Sequence, residues 1–530
     1  MYSDSIQCMR DKRPPPKANS IAHRHVGHLY RPRLVLHMQD AESMEKTSNT
    51  TTADGSRPAE RELVTWDGPE DENNPKNWAK MRKWRTTISV SAFVLLNTLS
   101  STIVAPALPQ IARDLHVTSD AEELFLLSIF VLGFAFGPLL ACPLSEVHGR
   151  KITLLLWNVL YLAFNTACGA VYSSAALLVL RFLAGFFCSA SQGIGGGFVS
   201  DLFTAKERGR AIAVYSIMPL IGPVIGPVLG GVIAQYTSWR WTFYAASLLD
   251  AVILLPSLFT VEETHEPVLL RKEMRRREKE TGREFYTEYD YLEASPKEVY
   301  SVALIRPLKL LGTQPIVQVM AVYNAFLYGL VYILYANFPA LWTDVYHETP
   351  TIASLNYLSI FVGSAFAAEL ATHAIDRLHR NLTAKHEGVA FPEFRIPVMP
   401  PATIVLAAGM FLYGWGAQFE LHWIVPNVGA AIFAAGVFVC AIAVNLYMVD
   451  TYGKYAASAL AAISTLRQIF GAIFPIFAPY LYCDLGYGWG SSVLGFLALA
   501  IGLPAVLLLW KYGKALRRRS PYAQERATTR

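Results

Sequence analysis

The strongest limit on what this chain can fold into is a set of long stretches without a single Asp, Glu, Lys, Arg or His. They cover Ile152–Leu180, Phe182–Ser200, Ala211–Ser238, Leu310–Thr343, Trp423–Val449 and Leu485–Trp510. About 20 apolar residues in a helix cross the hydrocarbon layer of a bilayer. A helix on a soluble core keeps one polar face, and none of these runs shows one. Only 16% of the 530 residues are charged, against roughly a quarter in soluble domains. A large soluble protein with buried helices is the competing reading, and the distribution of charge speaks against it.

Twelve spans can be placed, at 85–107, 122–143, 152–171, 174–198, 211–234 and 239–260, then 313–339, 351–372, 399–416, 423–447, 458–482 and 488–510. The expected fold is all-α: twelve transmembrane helices in two six-helix bundles, 85–260 and 313–510. A hydrophilic central loop, 261–312, joins the bundles, and tails 1–84 and 511–530 flank them. Residues 1–60 have a disordered composition, and no apolar signal-peptide core precedes the first span. Trp66 and Trp78 stand just before span 1, either at the membrane interface or in a plain solvated tail. The loops on one side carry twenty Lys and Arg, among them Arg150, Lys151, Lys206, Arg208, Arg210 and Lys454, whereas the other side holds only Arg113 and Arg240. The positive-inside rule then puts both termini in the cytoplasm. The sequons at Asn49 and Asn381 would face the cytoplasm and go unused.

A net charge of +5 gives no sign of nucleic-acid binding, and the six cysteines, four of them in or beside apolar runs, have neither disulfide nor metal-site spacing. No Walker loop, HExxH or GxSxG occurs, and no hydrophilic segment is long enough for a catalytic domain. An enzyme is not expected. The driving force must be an ion or substrate gradient, with no cofactor.

The two halves echo each other. Acid precedes base after span 2 (Glu146, Arg150, Lys151) and after span 8 (Asp376, Arg377, Arg380), and prolines stand four apart in span 5 (Pro223, Pro227) and span 11 (Pro475, Pro479). Such internal repeats build rocking-bundle transporters. In span 5, Gly222, Gly226 and Gly230 form a ladder that lets another helix approach closely. With Pro223, Pro227 and Gly231 they describe a bent helix, either a static seam or an element that shapes the pathway. The turn Pro143–Lys151, with Gly149 at its corner, puts Glu146 within reach of a helix N-terminus and Arg150 within reach of an acid such as Asp201. That arrangement is a candidate conformational latch or a passive anchor.

Charges inside lipid are costly and mark function by default. Arg181 in span 4, Asp250 in span 6, Glu369 in span 8 and Arg467 in span 11 are the candidates. Arg181 could bind substrate or tune a proton-carrying acid, and Asp250 could be that acid, since burial without a partner disfavours the charged form of a carboxyl. A structural pair or snorkelling is the alternative for each. Asn97, Gln192, Asn324, Asn337 and Asn445 are uncharged candidates for the pathway. Span 7 is strongly aromatic, with Tyr323, Tyr328, Tyr332, Tyr335 and Trp342, which suits bulky lipophilic or cationic ligands, or simply a lipid-facing surface.

These motifs resemble the major facilitator superfamily, and more closely its fungal twelve-span drug:proton antiporters, over residues 66–510. Pro143–Lys151 resembles the loop 2–3 motif, Arg181–Gly185 the span 4 arginine motif, and Gly222–Gly231 with Trp239–Trp241 the antiporter motif of span 5. Ala105–Pro109, Tyr447–Tyr452 and Ala456–Ala462 are similar to fungal members as well. The loop motif departs from the family in having Cys142 where Gly is usual and Glu146 where Asp is usual. The resemblance implies export of small organic molecules (drugs, fungicides, polyamines or secondary metabolites) in exchange for protons, from a monomer in the plasma membrane. It links Arg181 to proton coupling and Glu146 to switching. A nutrient or polyamine symporter and a non-transporting sensor are the other expectations carried forward. The first 40 or so residues have no family look, and Met38 or Met44 are alternative starts.

Overall fold

The computed structural model describes residues 62–204, 207–289, 296–523 and 528–529. The stretch 1–60, with Asn49, Met38 and Met44, and Lys206 of the loop count lie outside the described residues. Within them, eleven helices are long and apolar enough to cross a membrane. The last, Ala456–Arg518, breaks at Gly486, where φ is 70° and ψ is 173°. Glycine reaches that backbone region without steric penalty. The chain folds back there, so that Gly490 comes against the Tyr482 ring. The two arms are spans 11 and 12, and the total is twelve. The other spans are Lys80–Thr102, Asp120–His148, Arg150–Cys168, Ser174–Leu202, Arg208–Tyr236, Arg240–Thr260, Pro315–Ala340, Tyr357–Lys385, Met399–Gln418 and Ile424–Tyr452.

Several helices outrun the apolar segments that betray them. Span 8 continues to Lys385, because hydropathy marks where lipid ends and not where backbone hydrogen bonding stops. The central segment, hydrophilic by sequence, builds helices Glu266–Thr281 and Pro296–Thr313. The first is made of strong helix formers, carries Glu273–Arg276 and Glu273–Arg277 contacts at 2.6 and 3.0 Å, and stops at Gly282 with φ 68°. The segment before span 1 lies against it. Glu62–Val64 pairs in parallel with Phe285–Thr287, and Trp66 Nε1 donates to Glu266 Oε1 at 2.7 Å. Trp78 is buried beneath the Arg82 guanidinium, 3.8 Å from its ring centre. Neither tryptophan stands alone in a solvated tail.

Span 5 keeps helical geometry through Pro219, Pro223 and Pro227. Its glycine ladder seats span 1. A Cβ on Gly226 would lie 2.7 Å from the Leu99 carbonyl oxygen, and one on Gly230 would collide with the Ile103 carbonyl. Gly231 faces the second half, where a Cβ would lie 2.6 Å from the Pro350 carbonyl oxygen. The ladder is thus a seam inside the first bundle, and Gly231 beside it touches the other bundle. At the same end, Gln235 Oε1 accepts from Thr351 N at 3.2 Å and from its hydroxyl at 2.6 Å.

At the opposite end, carboxylates tie the helix termini together. Gly149 has φ 100° and ends span 2. Glu263, just beyond span 6, accepts from the backbone N–H of Arg150 (2.9 Å), Lys151 (3.1 Å), Thr264 (3.0 Å) and His265 (2.9 Å). A carboxylate at the first turn of span 3 satisfies orphan donors and opposes the helix dipole. Arg150 Nε pairs with Asp201 Oδ2 at 2.5 Å, and Thr264 Oγ1 donates to the same oxygen at 3.3 Å. The Arg150 guanidinium rests on Gly197, where a side chain would displace it. The second half repeats the pattern: Arg395, before span 9, pairs with Asp450 at the end of span 10 (3.1 Å) and with Asp376 of span 8 (3.0 Å). Burial and the nearby Arg150 push His265 down to about 4, so it is neutral at cellular pH.

Three substitutions test these contacts. Gly226→Leu forces span 5 off span 1, destabilises the protein by about 1–3 kcal/mol or more and lowers its melting temperature in detergent. Gly209→Ala, where a Cβ meets nothing within 4 Å, leaves that temperature unchanged or slightly raised. Glu263→Ala strands several N–H donors, which costs about 1–3 kcal/mol. Amide exchange at Arg150 and Lys151 should accelerate while the core of span 1 stays protected.

Candidate functional site

A cavity of about 650 Å³ lies between the two bundles, within the membrane-spanning region. Spans 1, 4 and 5 supply Thr98, Ser101, Gln192, Tyr215 and Pro223 from the first half. Spans 7, 10 and 11 supply Asn324, Tyr328, Tyr332, Asn445 and Arg467 from the second. The wall reaches Leu460, one turn from the start of span 11, and Asn445, two turns from the end of span 10. It therefore extends toward the face that bears the central segment. At the other face Gly231, Gln235, Pro350 and Thr351 bring the bundles together.

The aromatic wall has a defined construction. Tyr328 and Tyr332 rings lie 5.0 Å apart, and Tyr332 and Tyr335 rings 5.7 Å apart. Spacing of three and four residues puts all three on one helix face. Gly471 of span 11 lets them close in, since a Cβ there would lie 2.9 Å from the Tyr328 ring. Of the span 7 aromatics, Tyr323 instead bonds Thr403 of span 9 at 2.9 Å, and Trp342 is fully buried. The sequence alternative of a lipid-facing aromatic helix is not what the structure shows for these residues.

The four intramembrane charges divide into different settings. Arg181 is buried in the first bundle and does not line the cavity. Its Nε and Nη2 donate to the Leu126 and Leu127 carbonyls of span 2 at 2.7 and 3.1 Å, and its guanidinium lies 5.0 Å from the Phe130 ring. Asp250 is completely buried, with neither carboxyl oxygen hydrogen-bonded. It stands within electrostatic reach of Tyr161 and Cys188. Tyr161 OH contacts Ser100 Oγ at 2.6 Å, and Asn97 donates to the Cys188 carbonyl at 3.1 Å. Asn97 therefore belongs to this buried cluster and not to the cavity wall. Arg467 does line the cavity, where its guanidinium lies 4.6 Å from the Tyr328 ring and donates to Ser464 at 3.3 Å. Glu369 is exposed, 3.7 Å from His373. Asn337 bonds back to the Ile333 carbonyl of its own helix.

The loop residues assemble only in part. Arg150, Asp201 and Gly149 share one cluster, but Glu146 is exposed and outside it, facing Arg150 and Arg306 at longer range. Glu263, Gly197, Thr98 and Ser101 escaped the sequence reading, and Arg395 entered it only as one of the twenty loop bases. The signal for Glu263 was faint: an acid just past an apolar run, with no base beside it in sequence. Arg395 could have been found by matching Asp450 to Asp201, since both acids close the fourth helix of their bundle.

Comparison with known proteins places this architecture. The chain matches the family model described as Major Facilitator Superfamily over residues 90–475. It is 44% identical to the efflux pump vrtL of Penicillium aethiopicum across 87% of this chain and 91% of that protein. It is 36% identical to the efflux pump radE of Floropilus chiversii across 86% and 85% of the two chains. Among solved structures, the partially occluded inward open form of the Escherichia coli xylose transporter XylE superposes with a TM-score of 0.59 at 15% identity, covering 81% of this chain and 99% of that one. A bacterial homologue of the human lysosomal transporter Spinster gives 0.60 at 14% identity, covering 84% and 100%. Twelve spans in two bundles, a cavity between them and this breadth of similarity make the chain a transporter of the Major Facilitator Superfamily.

Proposed function

We propose that the chain exports small organic molecules, among them secondary metabolites, in exchange for protons by alternating access. The observation that carries this reading is Asp250, a fully buried carboxyl in span 6 with no hydrogen-bond partner, which is not among the residues that line the cavity. Burying the charged form of such a group costs several kcal/mol more than burying the neutral acid. Gaining or losing a proton there would thus decide how closely the first bundle can pack. Tyr161 and Ser100 lead from Asp250 to span 1, whose other face presents Thr98 and Ser101 to the cavity.

Direction and driving force have separate supports. Two relatives bear the name efflux pump, and the span 5 glycine–proline motif resembles that of antiporters. The cavity extends toward the Lys- and Arg-rich face, which the positive-inside rule assigns to the cytoplasm. Such a cavity would load from inside. A monomer in the plasma membrane, with both termini cytoplasmic and no cofactor or metal, completes the reading. Arg181 acts in it as a positioning residue: it grips two span 2 carbonyls and so fixes span 4 against span 2 around the proton site.

The test is substrate-dependent proton movement in vesicles that contain the full chain, with substrates taken from a drug and metabolite panel. Asp250→Asn should abolish proton-driven export while leaving substrate exchange across the membrane intact; proton coupling that survives this change would remove the carboxyl from the mechanism. Arg181→Ala should lower proton-driven export at least tenfold with surface expression retained. Arg181→Lys should recover little, since a lysine cannot hold two carbonyls in a fixed fork. Accumulation of substrate together with protons would instead identify a symporter.

A further inference from the structure

The cavity has a one-sided charge. Among the described residues, Arg467 is the one formally charged side chain that lines it, with no Asp, Glu, His or Lys sharing the wall. It stands about three turns into span 11, near the middle of the bilayer. Its Nε is buried without a hydrogen-bond partner. Its polar contact is a 3.3 Å bond from Nη2 to the Ser464 hydroxyl, and among the described residues no carboxylate pairs with it. A guanidinium at that depth is costly unless something of opposite charge or several acceptors compensate it. Arg181 shows what full accommodation looks like in this protein: two carbonyl acceptors, two aromatic rings, and a place outside the cavity. Arg467 lacks that, and the space beside it is open to whatever enters.

The aromatic wall bears on the same choice. From sequence alone it suits cations, because a ring face attracts positive charge. In the structure the Tyr328 face is already taken by the guanidinium of Arg467. An entering cation would meet a like charge and no acid. An entering anion would find a forked donor with an unused N–H, Asn324 and Asn445 as further hydrogen-bonding groups, and tyrosine rings for an apolar body.

We infer that the transported molecules are amphipathic organic anions: an aromatic or polycyclic body bearing a carboxylate, sulfonate or ionised enol, whose charge seats on Arg467. This deepens the exporter reading and rests on it. The charge balance is consistent with export. An anion leaving a negative interior moves with the membrane potential, and exchange for an entering proton carries two unit charges in the same electrical sense. Both components of the proton gradient would then drive the cycle.

Fluorescein and rhodamine 123 share one ring system and differ in charge, so they separate the alternatives. Each is titrated into the full-length chain in nanodiscs, with empty nanodiscs subtracted. Fluorescein should bind more tightly than rhodamine 123. Arg467→Gln should weaken fluorescein at least tenfold and leave rhodamine binding unchanged or stronger, and Arg467→Lys should restore part of the loss, which guards against a folding defect. Equal affinity for the two dyes, or fluorescein binding indifferent to Arg467→Gln, overturns the inference. The same preparation in proteoliposomes, under an imposed potential, tests transport separately. Fluorescein that binds at Arg467 but is never moved would sink the exporter reading and keep the anion site. Rhodamine moved in preference to fluorescein would sink the anion site and keep the exporter.

Discussion

Hydrocarbon solvates neither charge nor open hydrogen bonds, and each ionisable group this protein holds inside the bilayer must be met by the protein itself. It meets them in different ways. Arg181 is enclosed by span 2 carbonyls and phenylalanine rings. Arg467 borders a cavity with one hydroxyl and one ring for company. Asp250 has no hydrogen-bond partner at all. The first arrangement is structural and closed. The other two are incomplete as they stand, and an incomplete site in lipid is one that a proton or a ligand can complete. The functional reading follows from that difference in completeness more than from the presence of charge as such.

Small residues are used in two ways, one within the first bundle and one between the bundles. Span 5 meets span 1 at backbone distance, with carbonyls of one helix over glycines of the other. Such a seam has no slack and moves as a unit. The contact of Gly231 and Gln235 with Pro350, Ser354 and Thr351 is smaller and partly polar. It can part without stranding a buried donor, because both groups can turn to water. The opposite ends of the helices are clamped within each half by Arg150–Asp201 and Arg395–Asp450. These pairs hold a bundle together without joining it to its neighbour, which is what a rocking motion between bundles requires.

Much of this architecture is visible in the sequence, since lipid imposes a simple rule: long runs without charge. The twelve spans come from it, while the echo between halves and the glycine ladder come from the spacing of loop charges, prolines and glycines. What hydropathy cannot show is where a helix continues or forms in water, and so span 8 runs past its expected limit and the expected central loop holds two helices. Pairings across sequence were legible only where acid and base stood in recognisable loops, as with Arg150 and Asp201. Glu263 works through backbone N–H groups, which leave no trace in side-chain patterns. Asn97 and Gln192 look alike as polar residues in apolar helices. Only the rotation of each helix decides that the first joins the Asp250 cluster and the second faces the cavity.

The two bundles have taken on different chemistry within the same scaffold. The matched ion pairs keep their helix ends alike, yet the first bundle holds the acid without a hydrogen-bond partner while the second holds the aromatic wall and a cation that no carboxylate pairs with among the described residues. Span 1 lies between these sites. Asn97 and Ser100 face the acid cluster and Thr98 and Ser101 face the cavity, whose wall Tyr332 supplies from the other half. A shift of span 1 in response to the charge state of Asp250 would therefore be felt at the ring wall. Span 5 would follow, because its glycines leave it no freedom to do otherwise. In the proposed exchange, coupling between proton and cargo would need no long relay: span 1 would carry both sites on opposite faces, and its backbone-tight seam with span 5 would pass the motion to the Gly231–Pro350 contact between the bundles.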